Sequence, residues 1–210
     1  MIAEREEMAC EEALSMLGTL LLHHHSEVAL HSQRVSRIAH ILAHRLGLSH
    51  EESALVALAG LFHDIGKLCI PPNILHKQSP LNTREWARMR THTRMGSEML
   101  LCVGGIGNQL APLVVAHHEC WDGSGYPYGL RGNDIPRGAR LLSVADACDA
   151  MLSARPYQRP CEEWEVKREL RRGAGGQIDP EMCDLVLHLL EQEPEVFSFS
   201  RSRRTKDERT

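Results

Sequence analysis

Two adjacent side chains, His63 and Asp64, close an apolar helical run from Ala54 to Phe62, and Gly66 and Lys67 follow at once. Neutral imidazole and carboxylate are good ligands for a divalent cation, and a carboxylate can bridge two of them. The lysine is within reach of the same spot, where it could meet a phosphate as a point charge. Alone, such a pair is more often a capping or packing pair. Four further residues carry the same chemistry: His92, the adjacent His117 and His118, and Asp146. With His63 and Asp64 they fall on four predicted helices, each near a helix end or beside a glycine. Bundles build metal sites in this way, from inward-facing side chains on several helices. The donors are nitrogen and oxygen only, which disfavours thiolate zinc chemistry and suits iron or manganese in near-octahedral sites. On a helix, His117 and His118 would diverge by about 100° and so be shared around a cluster rather than clamp one ion.

The elements that must position these residues read as helices throughout. A lead-in helix covers residues 3–22, and three histidines, His23 to His25, form a polar joint after it. A second helix runs from Ser26 to Leu46, with Val28, Val35, Ile38, Ala39, Ile41 and Leu42 as its apolar stripe. On it Glu27 and His31 are four apart and share a face, by spacing alone a surface pair. Ser49 caps the third helix, which ends at the His63-Asp64 pair, and Pro71-Pro72 predicts an irregular loop. Asn82 with Glu85 caps a fourth helix, and His92 leads a fifth through Leu101. The spacing predicts another over Leu110 to His118, then a loop rich in glycine and proline over Glu119 to Gly138. Ala139 to Leu152 is helical, with Asp146 and Asp149 on one face, and two more helices cover Glu162 to Arg172 and Pro180 to Leu190. No period-two strand pattern and no internal repeat occurs. The expected class is all-α, with a lead-in over 1–22, one domain over 23–195 and a charged, disordered tail over 196–210.

Composition narrows the partners. A net charge of -4 gives no electrostatic reason to bind nucleic-acid polymers or a membrane surface, and 4% aromatic content argues against a base-stacking platform. Seven scattered cysteines without a Cys-x-x-Cys read as reduced packing thiols, Cys69 and Cys148 included, in a cytoplasmic protein. The acidic start carries no secretory signal, and the longest apolar run, near Leu17 to Leu22, is too short to span a bilayer.

In this setting the chain closely resembles the HD-GYP family of metal-dependent phosphodiesterases. The resemblance rests on His63-Asp64-Ile65-Gly66-Lys67 and on the long run from His117-His118-Glu119 through Gly125-Tyr126-Pro127 to Gly129-Leu130. It continues in Ile135-Pro136, Val144-Ala145-Asp146-Ala147-Cys148-Asp149 and Arg155-Pro156-Tyr157, over residues 22–190. It implies an HD-domain bundle of about seven to nine helices around a core metal cluster. It also implies hydrolysis of cyclic di-GMP to pGpG, and in some members to GMP, with two or three divalent ions, iron or manganese. By resemblance the ligands are His31, His63, Asp64 (bridging), His92, His117, His118 and Asp146, with Glu27 marking members that hold a third ion. Lys67, Tyr126, Asp149, Arg155 and Arg159 are the implied substrate contacts. Tyr126 would stack on the ligand or anchor its loop through the hydroxyl, and Arg155 would meet the distal phosphate or guanine.

The implied chemistry is hydrolysis by a metal-bridging hydroxide, with cations about 3.5–4 Å apart clamping the phosphate oxygens. Lys67 would offset charge on those oxygens. Two departures from the family stand out: Gln158-Arg159 follows Arg-Pro-Tyr where a basic residue is usual, and Ile178 stands where phenylalanine is usual. The alternatives are a catalytically silent module that binds a cyclic dinucleotide or docks a protein such as a diguanylate cyclase, and a hydrolase of a related cyclic dinucleotide. The lead-in helix is a candidate linker or homodimerisation element.

Overall fold

The computed structural model describes residues 2–153 and 159–197. Along the chain the helices are α1 (Ile2–His24), α2 (Ser26–Arg45), α3 (His50–Phe62), α4 (Pro72–Leu75), α5 (Thr83–Arg90) and α6 (His92–Val103). They continue with α7 (Gly107–Val115), α8 (Arg137–Leu152), α9 (Glu163–Gly173) and α10 (Pro180–Gln192). Setting aside the single turn of α4, nine α-helices remain among the described residues, and the fold is the all-α bundle expected. The one extended pairing among the described residues is an isolated bridge between Ala174 and Ile178.

The caps read from sequence are in place. Ser49 Oγ accepts from the Glu52 amide while Glu52 accepts from the Ser49 amide, and Asn82 and Glu85 repeat the reciprocal pair at α5. Behind them the apolar stripe of α2 is fully buried at Val35, Ile38, Ala39 and Leu42, where it meets Leu141 and Leu142 of α8 and Met182 and Leu189 of α10 in one core. The tail residues 198–210 lie outside the described residues.

Two glycines set how closely the elements approach. A Cβ on Gly60 would stand 2.8 Å from the Ser36 Cα, so α3 crosses α2 with backbone nearly on backbone. A Cβ on Gly66 would fall 1.9 Å from the His92 carbonyl oxygen. Only glycine lets the 3-10 turn Ile65–Cys69 rest on the start of α6. This contact brings the His63-Asp64 corner and His92 together.

Two local expectations are corrected. The helix expected over Leu110 to His118 starts earlier and stops at Val115, and Ala116 to His118 form a turn. The Glu119 amide bonds the Ala116 carbonyl three residues back, and the His117 ring folds back onto the Val114 carbonyl. The two histidines therefore do not splay by a helical 100°; their ring centroids are 4.1 Å apart. The Pro71-Pro72 loop contains the turn α4, because Pro72 sits at a first helical position, where its missing N–H costs nothing. No helix of the described residues is long and apolar enough to cross a membrane.

Candidate metal centre

Five imidazoles and three carboxylates meet where α2, α3, α6, α8 and the turn after α7 converge. The rings form a chain of contacts: His31 to His63 at 5.2 Å, His63 to His117 at 5.1 Å, His117 to His92 at 5.4 Å and His92 to His118 at 5.2 Å. Two groups have potential donor atoms within 4.8 Å of one another: His31, His63 and Asp64, and His92, His117 and His118. All but His31 and His118 are buried.

The orientation of the rings decides what they can hold. His63 Nδ1 donates to the Gly60 carbonyl (2.8 Å), His92 Nδ1 to Met89 (2.9 Å) and His117 Nδ1 to Val114 (2.6 Å), each three residues back. A carbonyl oxygen only accepts, so the neutral tautomer carries its proton on Nδ1 and leaves Nε2 a bare lone pair. These lone pairs face other acceptors. His63 Nε2 is 3.3 Å and His92 Nε2 3.4 Å from the Asp64 carboxylate, and His92 Nε2 is 3.4 Å from His117 Nε2. His63 Nε2 and Asp64 Oδ1 have no hydrogen-bond partner. Acceptors converging on acceptors in a buried site are repulsive unless cations lie among them, and the donor set is one that divalent cations favour. The residues fit a metal centre.

The second nitrogen of His31 is held differently. Its Nδ1 meets Asp149 Oδ2 at 2.6 Å while Nε2 faces Asp146 Oδ1 at 3.1 Å and Asp64 Oδ2 at 3.9 Å. A carboxylate behind a ligating imidazole fixes its tautomer and raises its basicity. Asp149, a substrate contact by the resemblance, has a fully buried carboxylate whose oxygens are taken up by the protein. Oδ1 accepts from Arg34 Nε (2.6 Å) and Ser153 Oγ (2.9 Å), and Oδ2 from Arg34 Nη2 (3.0 Å) besides His31. One turn beyond Asp146, it faces His31 and Arg34 of α2.

The charges follow from these contacts. Burial opposes protonation of His31, but the bonds to Asp146 and Asp149 outweigh it and lift its pKa to about 9. Burial, reinforced by neighbouring imidazoles, holds His117 well below the ordinary value, lowers His92 against the pull of Asp64, and takes His118 to about 4. Burial pushes the Asp64 carboxyl up, yet Lys67 and His63 more than compensate and keep it ionised. Asp146 is likewise held ionised against burial, by His31 and His63. Lys67 Nζ rests on Asp64 Oδ2 at 2.5 Å, placed there by the turn that Gly66 allows.

Of the remaining expected residues, Tyr126 packs its ring on His118 (centroids 5.0 Å, tilt 35°) and donates its amide to the His118 carbonyl at 3.1 Å. Glu27, one turn before His31, is exposed and belongs to neither group. Arg159 pairs its guanidinium with Glu165 Oε1 at 3.0 Å. Arg155 lies outside the described residues.

Two functional side chains escaped sequence reasoning. Arg34 holds Asp149, and its only signal was a charged residue one turn past His31 on an otherwise apolar face. Glu119 is buried in the glycine-rich loop and accepts the Tyr128 (2.7 Å) and Leu130 (3.0 Å) amides, fixing the loop that carries Tyr126.

The profile of the HD domain family matches residues 15–182. A 3'3'-cGAMP-specific phosphodiesterase of Vibrio cholerae is 39% identical over 162 residues, covering 77% of this chain and 31% of the relative. A cyclic di-GMP phosphodiesterase of Thermotoga maritima is 36% identical over 200 residues, covering 95% of this chain and 53% of the relative. The chain thus spans about half or less of the length of these curated relatives. Among solved structures, Bd1817, an HDG"Y"P protein from Bdellovibrio bacteriovorus, superposes with a TM-score of 0.63 at 24% identity, covering 78% of this chain and 52% of that one, a likeness of fold.

Proposed function

Since the chain belongs to the HD domain family, with motifs of its HD-GYP branch, we propose that it is a metal-dependent phosphodiesterase that opens cyclic di-GMP to pGpG and carries part of it on to GMP. The observation that supports this most is the set of bare Nε2 lone pairs converging on Asp64. A silent docking module has no use for such an arrangement. Relatives named for cyclic di-GMP and for 3'3'-cGAMP both align, so the two dinucleotides are the substrates to compare.

His31, His63, Asp64, His92, His117, His118 and Asp146 would hold the ions, two of them iron or manganese, with Asp64 between the two histidine groups. Bound there, divalent cations supply Lewis acidity and lower the pKa of water for in-line attack on phosphorus. The chain's own residues do the rest. The carbonyls behind Nδ1 hold the rings in orientation, so little reorganisation accompanies the reaction. Lys67, now on Asp64, is within reach of a phosphate oxygen that takes up charge. Tyr126, packed on His118, would limit how a base or ribose approaches that imidazole. The seven free thiols suit a cytoplasmic setting.

The test is anaerobic turnover of cyclic di-GMP and 3'3'-cGAMP by Fe(II)- and Mn(II)-loaded protein, with products separated by chromatography. Hydrolysis that vanishes in Asp64→Ala supports the reading, and the pGpG-to-GMP ratio gives the extent. Binding without turnover in either metal state would favour the docking module instead.

A further inference from the structure

Arg90, the last residue of α5, is exposed and forms no ion pair among the described residues, though carboxylates crowd the neighbouring centre. Its guanidinium lies over the Tyr126 ring, Cζ 5.1 Å from the centroid. That ring packs on His118, and His118 in turn on His92. A continuous layer therefore leads from the metal-binding imidazoles outward to an unneutralised cation.

The position of Arg90 is fixed from both ends. The Asn82-Glu85 box starts α5, and at its far end Met89, the residue before Arg90, gives its carbonyl to His92 Nδ1. Arg88 Nη2 ties the same helix to the Cys69 carbonyl at 3.2 Å, beyond the Lys67 turn. A guanidinium stacked on a ring keeps its in-plane N–H groups free, so it can hold an anion bidentately without leaving the ring.

Resting on the cyclic-dinucleotide reading above, we propose that Arg90, seated on Tyr126, binds the phosphate of the dinucleotide that is not being cleaved. The scissile phosphate is met by the cations and Lys67. The second phosphate of the ring carries its own charge, and Arg90, over Tyr126 and without an ion pair among the described residues, is a cation placed at the Tyr126–His118 edge of the centre.

The experiment compares Arg90→Ala and Arg90→Lys with the parent protein on two substrates, cyclic di-GMP and bis(4-nitrophenyl) phosphate, which has a single phosphate. Metal content is measured on each protein. The expected result for Arg90→Ala is a KM for cyclic di-GMP raised at least tenfold, with kcat/KM for the monophosphate changed less than threefold and metal content unchanged. Arg90→Lys recovers most of the KM, since a point charge still meets a phosphate. An unchanged KM in Arg90→Ala overturns the proposal. So does an equal loss on both substrates or a fall in bound metal, which would make Arg90 a support for Tyr126 and His118 alone. If the parent protein cleaves the monophosphate but not the cyclic dinucleotide, the functional reading itself fails and takes this proposal with it, a result visible before any variant is made.

Discussion

Loading the centre with metal should expel one proton from His31, and the size of the effect follows from its surroundings. Without a cation, both ring nitrogens face carboxylates, and the pKa is about 9. At pH 7 the ring is then protonated by about two pKa units' worth of preference, roughly a hundred to one. A cation needs Nε2 as a lone pair, so its apparent affinity at pH 7 is reduced by about 3 kcal/mol relative to pH above 9. His92, His117 and His118 have lowered pKa values and give up nothing at pH 7, and Asp64 and Asp146 are already ionised. The same shift has a stability face in the metal-free protein. The folded pKa lies above the unfolded 6.5, so the contribution is complete below pH 6.5 and is lost as pH rises toward 9, by up to about 3 kcal/mol. Calorimetric titration with Mn(II) at pH 7, in two buffers of different ionisation enthalpy, reads the proton count directly. The parent should release about one proton per protein more than His31→Gln, whatever metal-bound water gives up in both, and the metal-free melting temperature should decline between pH 6.5 and 8.5. No such difference in proton release, or a melting temperature that climbs over that window, would refute the reasoning.

Other perturbations separate the site's supports. Asp149→Asn weakens the hold on His31 and leaves Arg34 without its buried partner; we expect metal affinity to drop by about 10–100-fold, read by competition with a chelating dye. Gly66→Ala drives a methyl onto the His92 carbonyl, and thermal unfolding should show a loss of at least about 3 kcal/mol or no folded protein. Ser49→Ala removes one half of a capping box far from the centre, costing about 1 kcal/mol in urea unfolding while turnover is unchanged.

The helices were legible because their signals are local. The periodic stripe of α2 and the two capping boxes are each written within a few residues, and the structure keeps them. The pairing of His63-Asp64 with His92 and with His117-His118 was legible only because the motif run is long. What stayed hidden depends on distant partners. Spacing put Asp149 on one face with Asp146, but nothing local named Arg34, 115 residues away, as the side chain that holds it. The turn at Ala116 was hidden because nothing in the run Leu113-Val114-Val115-Ala116 breaks a helix; the imidazole that follows bends back onto Val114 instead.

That last detail explains why the donors gather where they do. The final four carbonyls of any helix lack an intrahelical partner. Gly60, Met89 and Val114 lie in the last turns of α3, α5 and α7, and each accepts the Nδ1–H of a histidine three residues on. One bond thus does two things: it satisfies a helix-end carbonyl and turns a bare Nε2 toward the centre. Three helix C-termini, each carrying the negative end of its dipole, thereby converge on one spot and favour cations over anions there. Moving any of these histidines one position along its helix would lose both the carbonyl and the aim. For this reason His117 cannot be replaced by its neighbour His118, whose ring stacks on Tyr126 rather than on a backbone acceptor.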